Sequence, residues 1–322
     1  NYVASLLGHE GPGSLFDVLK KAGLVESLSA GSGMDTGQEA TLELNMALTP
    51  EGLDNQETIL ELTFAYIDKV REEGISRSRF EEMKQLAQID FRFREKSQPV
   101  QEVMHLSRQM RHVAPEDVLQ APWMMESYAP DKYRNILNRL PPDNVLVSVL
   151  ETEPNLEDPN LTQWYDAAWK LKPLAIRDIR QRDDNPMVSR LALPLDNPFI
   201  PEELDMIDGA TMEQPVSMGT VSGMEVWYAR DTRFETPKAN VYLSLRTPAT
   251  RASARSNVLS SLLVDAINTN VNAWAYPAQL AGLDYSIYPH LRGITVRVGG
   301  YSDKLHTLMA RILTQVADPT LT

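Results

Sequence analysis

One order of elements occurs twice in this sequence, and it constrains the fold more than any other feature. A helical pattern is followed by Lys21-Ala22-Gly23-Leu24, two extended stretches, a turn at Thr49-Pro50 and a long helical pattern. The same order returns as a helical pattern, Leu280-Ala281-Gly282-Leu283, two extended stretches, a turn at Tyr301-Ser302 and a final helical pattern. A repeated supersecondary order points to duplicated domains of one α+β type. With 322 residues the chain has room for two such domains.

Local chemistry supports the elements one by one. Gly11-Pro12-Gly13 breaks the chain, Ser14 is placed to cap a helix over 14–21, and Gly23 closes it. Residues 25–30 read as a strand and 31–37 as a loop. Leu42, Leu44, Met46 and Leu48 alternate with polar residues, which predicts a half-buried strand over 42–48. Leu60, Phe64 and Ile67 mark one face of a helix over 55–73, and Phe80, Met83, Ala87 and Phe91 one over 76–94. Further helices are predicted over 100–111, 115–125 and 131–140. The apolar run 145–150 is predicted as a buried strand that completes the first domain.

Between 151 and 201 the texture changes, with Pro154, Pro159, Pro173, Pro186, Pro194, Pro198 and Pro201 set among acidic residues. This reads as a linker carrying a short helix over 162–171. Beyond it the pattern predicts strands over 224–229 and 239–246 joined by 230–238, and a helix over 250–275. Strands over 283–288 and 293–298 and a helix over 303–316 follow. The expected architecture is α+β: two homologous α/β-roll domains, each an antiparallel sheet packed with helices. They would occupy 1–152 and 193–322, joined by a Pro-rich linker over 153–192. The sequence opens at Asn1 without an initiator Met or leader and stops just after a helical pattern, so both ends read as cut from something longer.

The charge balance narrows the function. A formal net charge of -13 without clustered Lys and Arg argues against a nucleic-acid surface. No apolar run approaches the ~18 residues of a membrane helix. Cysteine is absent, so thiol nucleophiles, disulfide frameworks, iron–sulfur clusters and Cys-type zinc sites are excluded. Five histidines are present, yet no pair has the spacing that sets two ligands on one helical turn beside a Glu. His105 and His112 share a helix face, but about 10 Å of axial rise separates them, too far for one tetrahedral ion. His9-Glu10 has the types of an acid–base pair, without a third group to orient it. Gly11-Pro12-Gly13 is a turn and not a phosphate cradle, since Pro12 has no N–H to offer. These residues alone describe a two-domain α+β protein with no metal site and no catalytic constellation of its own.

Five blocks, in order, carry a resemblance. They are Gly8-His9-Glu10-Gly11-Pro12-Gly13-Ser14-Leu15, Leu48-Thr49-Pro50-Glu51-Gly52-Leu53, Phe91-Arg92-Phe93-Arg94, Trp164-Tyr165 and the stretch from Ala275 to Leu283. Across nearly the whole chain these resemble the pitrilysin/insulysin family of inverted-motif zinc peptidases. The resemblance implies domains of the metallopeptidase type shared with LuxS and the mitochondrial processing peptidases, four per molecule, enclosing a chamber. It sets the first part of this chain in the second domain and the last part in the third. The zinc motif then belongs to the first domain and the assisting Arg/Tyr pair to the fourth, so zinc is a cofactor of the parent protein and not of this chain.

What the resemblance carries to this chain is a peptide-binding exosite. The matching positions are Gly8 and Glu10 and, on the strand, Leu28, Ala30 and Ser32. Glu10 would pair with a peptide's free α-ammonium while the strand edge pairs with its backbone. Glu10 serves equally as a capping or solvated carboxylate, and Leu28 and Ala30 as plain strand packing; the residues leave both readings open. Ser5 stands where insulysin has a His, and Ala30-Gly31-Ser32-Gly33 replaces a Gly-Gly-Gln run, changes that backbone pairing tolerates. The implied partners are a peptide substrate and the missing N- and C-terminal domains of the same polypeptide, with no nucleic acid and no membrane. By analogy with bacterial pitrilysin the compartment is periplasmic, otherwise cytoplasmic. The alternative is a non-catalytic structural or processing-subunit relative that has lost the zinc motif.

Overall fold

The computed structural model describes residues 2–152, 154–174, 185–290 and 292–319. The chain divides into two compact units, each discontinuous in sequence: Asn1–Arg77 with Ser127–Pro194, and Ser78–Glu126 with Leu195–Thr322. Of the connection expected over 153–192, residues 153 and 175–184 lie outside the described residues.

The first unit begins with α1 (Tyr2–Leu7) and α2 (Leu15–Lys21). Ser14 caps α2, its hydroxyl accepting the Asp17 N–H at 3.1 Å. Gly23, at φ 73°, turns the chain out of the helix, a conformation that costs a residue with a Cβ. Strands β1 (Val25–Asp35) and β2 (Ala40–Leu48) then pair antiparallel, with Leu28 opposite Met46, Ala30 opposite Leu44 and Ser32 opposite Leu42. Thr49 caps α3 (Pro50–Asp54) and donates its hydroxyl to the Gly23 carbonyl at 2.6 Å, tying the hairpin's end to its start. Helix α4 (Gln56–Glu73) buries Ile59, Leu62, Phe64, Tyr66, Ile67 and Val70. Leu7, Leu15 and Leu19 from the first helices and Leu137 from α7 (Pro130–Leu137) are also almost fully buried in this unit. Each such side chain contributes about 1.5–3 kcal/mol of apolar burial.

The second unit contains α5 (Arg77–Arg92) from Ser78 onward, and α6 (Pro99–Gln109). A three-stranded antiparallel sheet has the order β7 (Lys238–Arg246), β9 (Gly293–Tyr301), β8 (Leu283–His290). Helix α8 (Ala254–Leu280) and helix α9 (Ser302–Ala317) supply the rest of its core, in which Ile267, Val271, Val296, Val298, Leu308 and Ile312 are buried. Ile89 of α5 and Phe199 belong to the same cluster. The segment around 197–201 is strapped to α5: the Glu82 carboxylate accepts the Asn197 N–H at 3.1 Å, and Gln85 donates to the Pro201 carbonyl at 2.8 Å.

The α+β class is the one observed, with small antiparallel sheets, and most elements fall where periodicity places them. Several do not. The apolar run 145–150 forms no strand; Leu146 is 79% and Leu150 96% exposed, because no neighbouring strand among the described residues takes up its backbone. In place of a helix over 162–171 there is a small hairpin, β3 (Asn160–Leu161) with β4 (Ala168–Trp169). Thr162 closes it, its hydroxyl accepting the Ala167 N–H at 3.0 Å, a local bond that competes with the helix ladder. Residues 115–125 form turns and a single 3-10 turn at Ala121–Trp123, since Pro122 has no N–H for a continuing helix. Strands β6 (Met224–Tyr228) and β7 are not partners: β6 pairs with β5 (Val216–Val221) through a tight turn at Ser222-Gly223, both at positive φ. Helix α8 runs past Pro277 to Leu280, its last turn held by buried Ala275 and Ala278 and by Asn197, which donates to the Pro277 carbonyl at 2.7 Å.

Candidate peptide-anchoring site

The site expected from sequence falls on the first unit, where the turn 8–13 between α1 and α2 lies beside β1. Gly8 ends α1, its N–H donating to the Ala4 carbonyl at 2.8 Å. A Cβ added at Gly8 would stand 3.0 Å from the backbone nitrogen of Ala30 and 3.2 Å from its Cβ. Glycine therefore lets the turn approach the strand closely at Ala30. At the other end of the turn Gly13, at φ 78°, donates to the Asp17 carboxylate at 2.8 Å, and its carbonyl accepts the Ala192 N–H at 2.7 Å. A Cβ at Gly13 would stand 2.8 Å from that of Ala192.

Between these anchors His9 folds back on its own loop. The N–H of Gly11, a buried residue, donates to Nδ1 of half-buried His9 at 2.9 Å, and the imidazole fills the space a side chain at Gly11 would need. With Nδ1 accepting, the neutral ring carries its proton on Nε2. The Gly11 carbonyl accepts the Ser14 N–H at 3.1 Å, so one loop of backbone bonds runs from His9 to the cap of α2. The Glu10 side chain is exposed.

The strand positions differ from one another. Leu28 is buried, Ala30 half-buried and Ser32 exposed. The sheet contains β1 and β2 only, so among the described residues no strand pairs with the other edge of β1. An unpaired edge offers N–H and C=O groups to an extended chain, and the side chains of Ala30, Gly31 and Ser32 along it are small. Gly8, Ala30 and the turn are thus adjacent. Sequence reading missed the part played by His9 and Gly11; the only signal was a His two residues before a Gly in a turn, the spacing of a local side-chain-to-backbone bond.

Perturbed ionisation lies elsewhere. In the second unit burial raises the carboxyls of Glu82 and Asp90, with Asp196 adding to the first and Lys238 opposing the second. Burial likewise pushes the Tyr285 phenol up to about 12. Among the described residues no group of three or more His, Asp or Glu is placed to hold a metal ion, and no helix is long and apolar enough to cross a membrane.

Two family models match the chain: "Peptidase M16 inactive domain" over residues 1–87 and "Middle or third domain of peptidase_M16" over residues 91–322. The insulin-degrading enzyme of Homo sapiens is 28% identical over 319 residues, covering 98% of this chain and 31% of the relative. The A-factor-processing enzyme of Saccharomyces cerevisiae is 28% identical over 315 residues, 97% of this chain and 30% of the relative. A crystal structure of pitrilysin superposes with a TM-score of 0.85 at 28% identity, covering 99% of this chain and 34% of that one. The chain therefore spans about a third of the length of these relatives.

Proposed function

Because the chain belongs to the peptidase M16 family, we propose that it holds an extended peptide for a zinc endopeptidase and does not itself cut it. Residues 1–87 match a domain described as inactive. The described residues do not fit a zinc ion, so no hydrolytic step is assigned to them. In this reading the hydrolytic centre belongs to parts of the parent polypeptide beyond the third that this chain spans. The residues present act by position: β1 offers its free edge through Leu28, Ala30 and Ser32, and Glu10 pairs with the peptide's α-ammonium.

The observation that carries this reading is the fit of Gly8 over Ala30. A side chain there would cover the amide on which edge pairing depends. The strength follows from the chemistry. Each backbone hydrogen bond contributes about 0.5–1.5 kcal/mol net, and several must offset the ordering of the peptide. Binding by the chain alone should thus be weak, with Kd near about 1 mM, which corresponds to about -4 kcal/mol. In a closed chamber weak anchoring suffices, because tethering one end raises the local concentration of the rest. The same reading takes 1–152 as the second domain of the parent, 153–192 as the connection and 193–322 as part of the third.

Titration calorimetry with a short Val/Thr-rich peptide tests both contacts. Gly8→Val should abolish binding, and acetylating the peptide's amino terminus should weaken it. Unchanged affinity in Gly8→Val removes the edge-pairing claim; equal affinity for free and acetylated peptide removes the role of Glu10.

A further inference from the structure

A short polar side chain that accepts the N–H two residues ahead forms an Asx turn, normally with Asn or Asp. In the turn 8–13 that acceptor is an imidazole nitrogen: His9 Nδ1 takes the N–H of Gly11 at 2.9 Å. Asn and Asp hold such a turn across the neutral pH range, whereas imidazole loses its acceptor when Nδ1 gains a proton. We infer that His9 is the positioning residue of the peptide-anchoring turn, a protonation-sensitive counterpart of an Asx turn that holds Gly8 and Glu10 in place when neutral and releases them when charged. The inference rests on the proposed binding role of that turn.

The geometry gives the step its consequence. Gly11 is buried, so its N–H cannot simply turn to water when the ring is protonated. The loop must open, and the residues on either side of His9 are those placed against Ala30 and exposed for the peptide terminus. The fixed end stays put, since Gly13 is tied to Asp17 and Ala192. On the other side the Gly8 N–H is bonded to the Ala4 carbonyl at 2.8 Å, so the movement centres on His9 and Glu10 and shifts Gly8 only through the chain.

Apart from His9, the charged and titratable side chains of the turn, of α1, α2, β1 and α4 and of residues 188–190 are all Asp, Glu, Lys, Arg or Tyr, among them Glu10, Asp17, Lys20, Glu26, Tyr66 and Arg190. Of these side-chain types and His9 together, only imidazole ordinarily titrates between about pH 5.5 and 7.5. His9 is also the only histidine in residues 1–77 and 127–194. A step in that range is therefore assignable to one group.

The test follows peptide affinity and the exchange rate of the Gly11 amide proton from pH 7.5 to 5.5, using the Val/Thr-rich peptide with a free amino terminus. In the parent chain affinity should fall about fivefold, the worth of one hydrogen bond, while Gly11 exchanges faster. His9→Ala should bind at the weakened level at both pH values. His9→Asn, whose Oδ1 can accept the same N–H, should restore affinity and abolish the step. The inference is overturned if His9→Asn keeps the pH step, or if Gly11 protection in the parent is the same at both ends of the range. Because the Gly11 amide reports on the turn whether or not peptide binds, failure of this inference and failure of the binding role give different results.

Discussion

Replacing Gly13 by Ala perturbs the turn 8–13 where it is tied to Ala192. Two costs are separable. Gly13 sits at φ 78°, where an L side chain pays about 1–2 kcal/mol. The added Cβ would also stand 2.8 Å from Ala192 Cβ and 3.3 Å from its nitrogen, an overlap worth about 1–3 kcal/mol. Gly13→Ala should therefore destabilise the first unit by about 2–5 kcal/mol, the sum of the two. Ala192→Gly removes the overlapping Cβ but leaves the backbone strain. Alone it should cost about 0.4–1 kcal/mol through the unfolded chain. In the double variant the overlap term should be partly recovered, giving a favourable coupling of about 1 kcal/mol or more. Urea unfolding of the four chains, followed by a probe in the first unit, measures the cycle. Additivity within about 0.5 kcal/mol would show that the two residues do not press on each other and would refute the packing argument for the turn's fixed end.

Other outcomes follow from the same structure. Ser14→Ala removes the cap of α2 and should cost about 1 kcal/mol, read by urea unfolding. Leu137→Ala leaves a cavity in the first unit, where the side chain is 2% exposed, and should cost about 2–5 kcal/mol. Glu82 is held above its ordinary value mainly by burial. A carboxyl raised on folding stabilises the folded state below its unfolded value, and that stability is lost as pH rises through the raised one. Thermal unfolding of the second unit should accordingly show Glu82→Gln more stable than the parent at pH 7, with a smaller gain at pH 4. Gln can still accept the Asn197 N–H, so an equal shift at both pH values would show that the charge is not the cause.

How much was legible in the sequence depended on whether the deciding interaction was local. Ser14 and Gly23 mark the limits of α2 through side-chain and backbone chemistry within a few residues, and the structure places them there. The stripe Leu60, Phe64, Ile67 identified α4 because one helix face must be buried whatever it meets. Partner choice was not readable in the same way. Residues 145–150 have the composition of a buried strand, but a strand needs a neighbour, and no periodicity names one. The β6 and β7 stretches alternate equally well, and only the Ser222-Gly223 turn, read as a tight hairpin, would have given β6 to β5. At the turn 8–13 the type of each residue was visible, while the contact of Gly8 with Ala30 joins positions far apart in sequence. The resemblance supplied those positions; composition could not, because an unpaired strand edge leaves little mark on side chains.

Where a bound peptide touches the chain decides most directly whether it is held at β1. Hydrogen exchange of the whole chain, with and without saturating Val/Thr-rich peptide, should show new amide protection confined to residues 8–10 and 28–32, and the peptide should be recovered intact after long incubation. Protection mapping to other surfaces with none at β1, or a peptide returned in fragments, would contradict it.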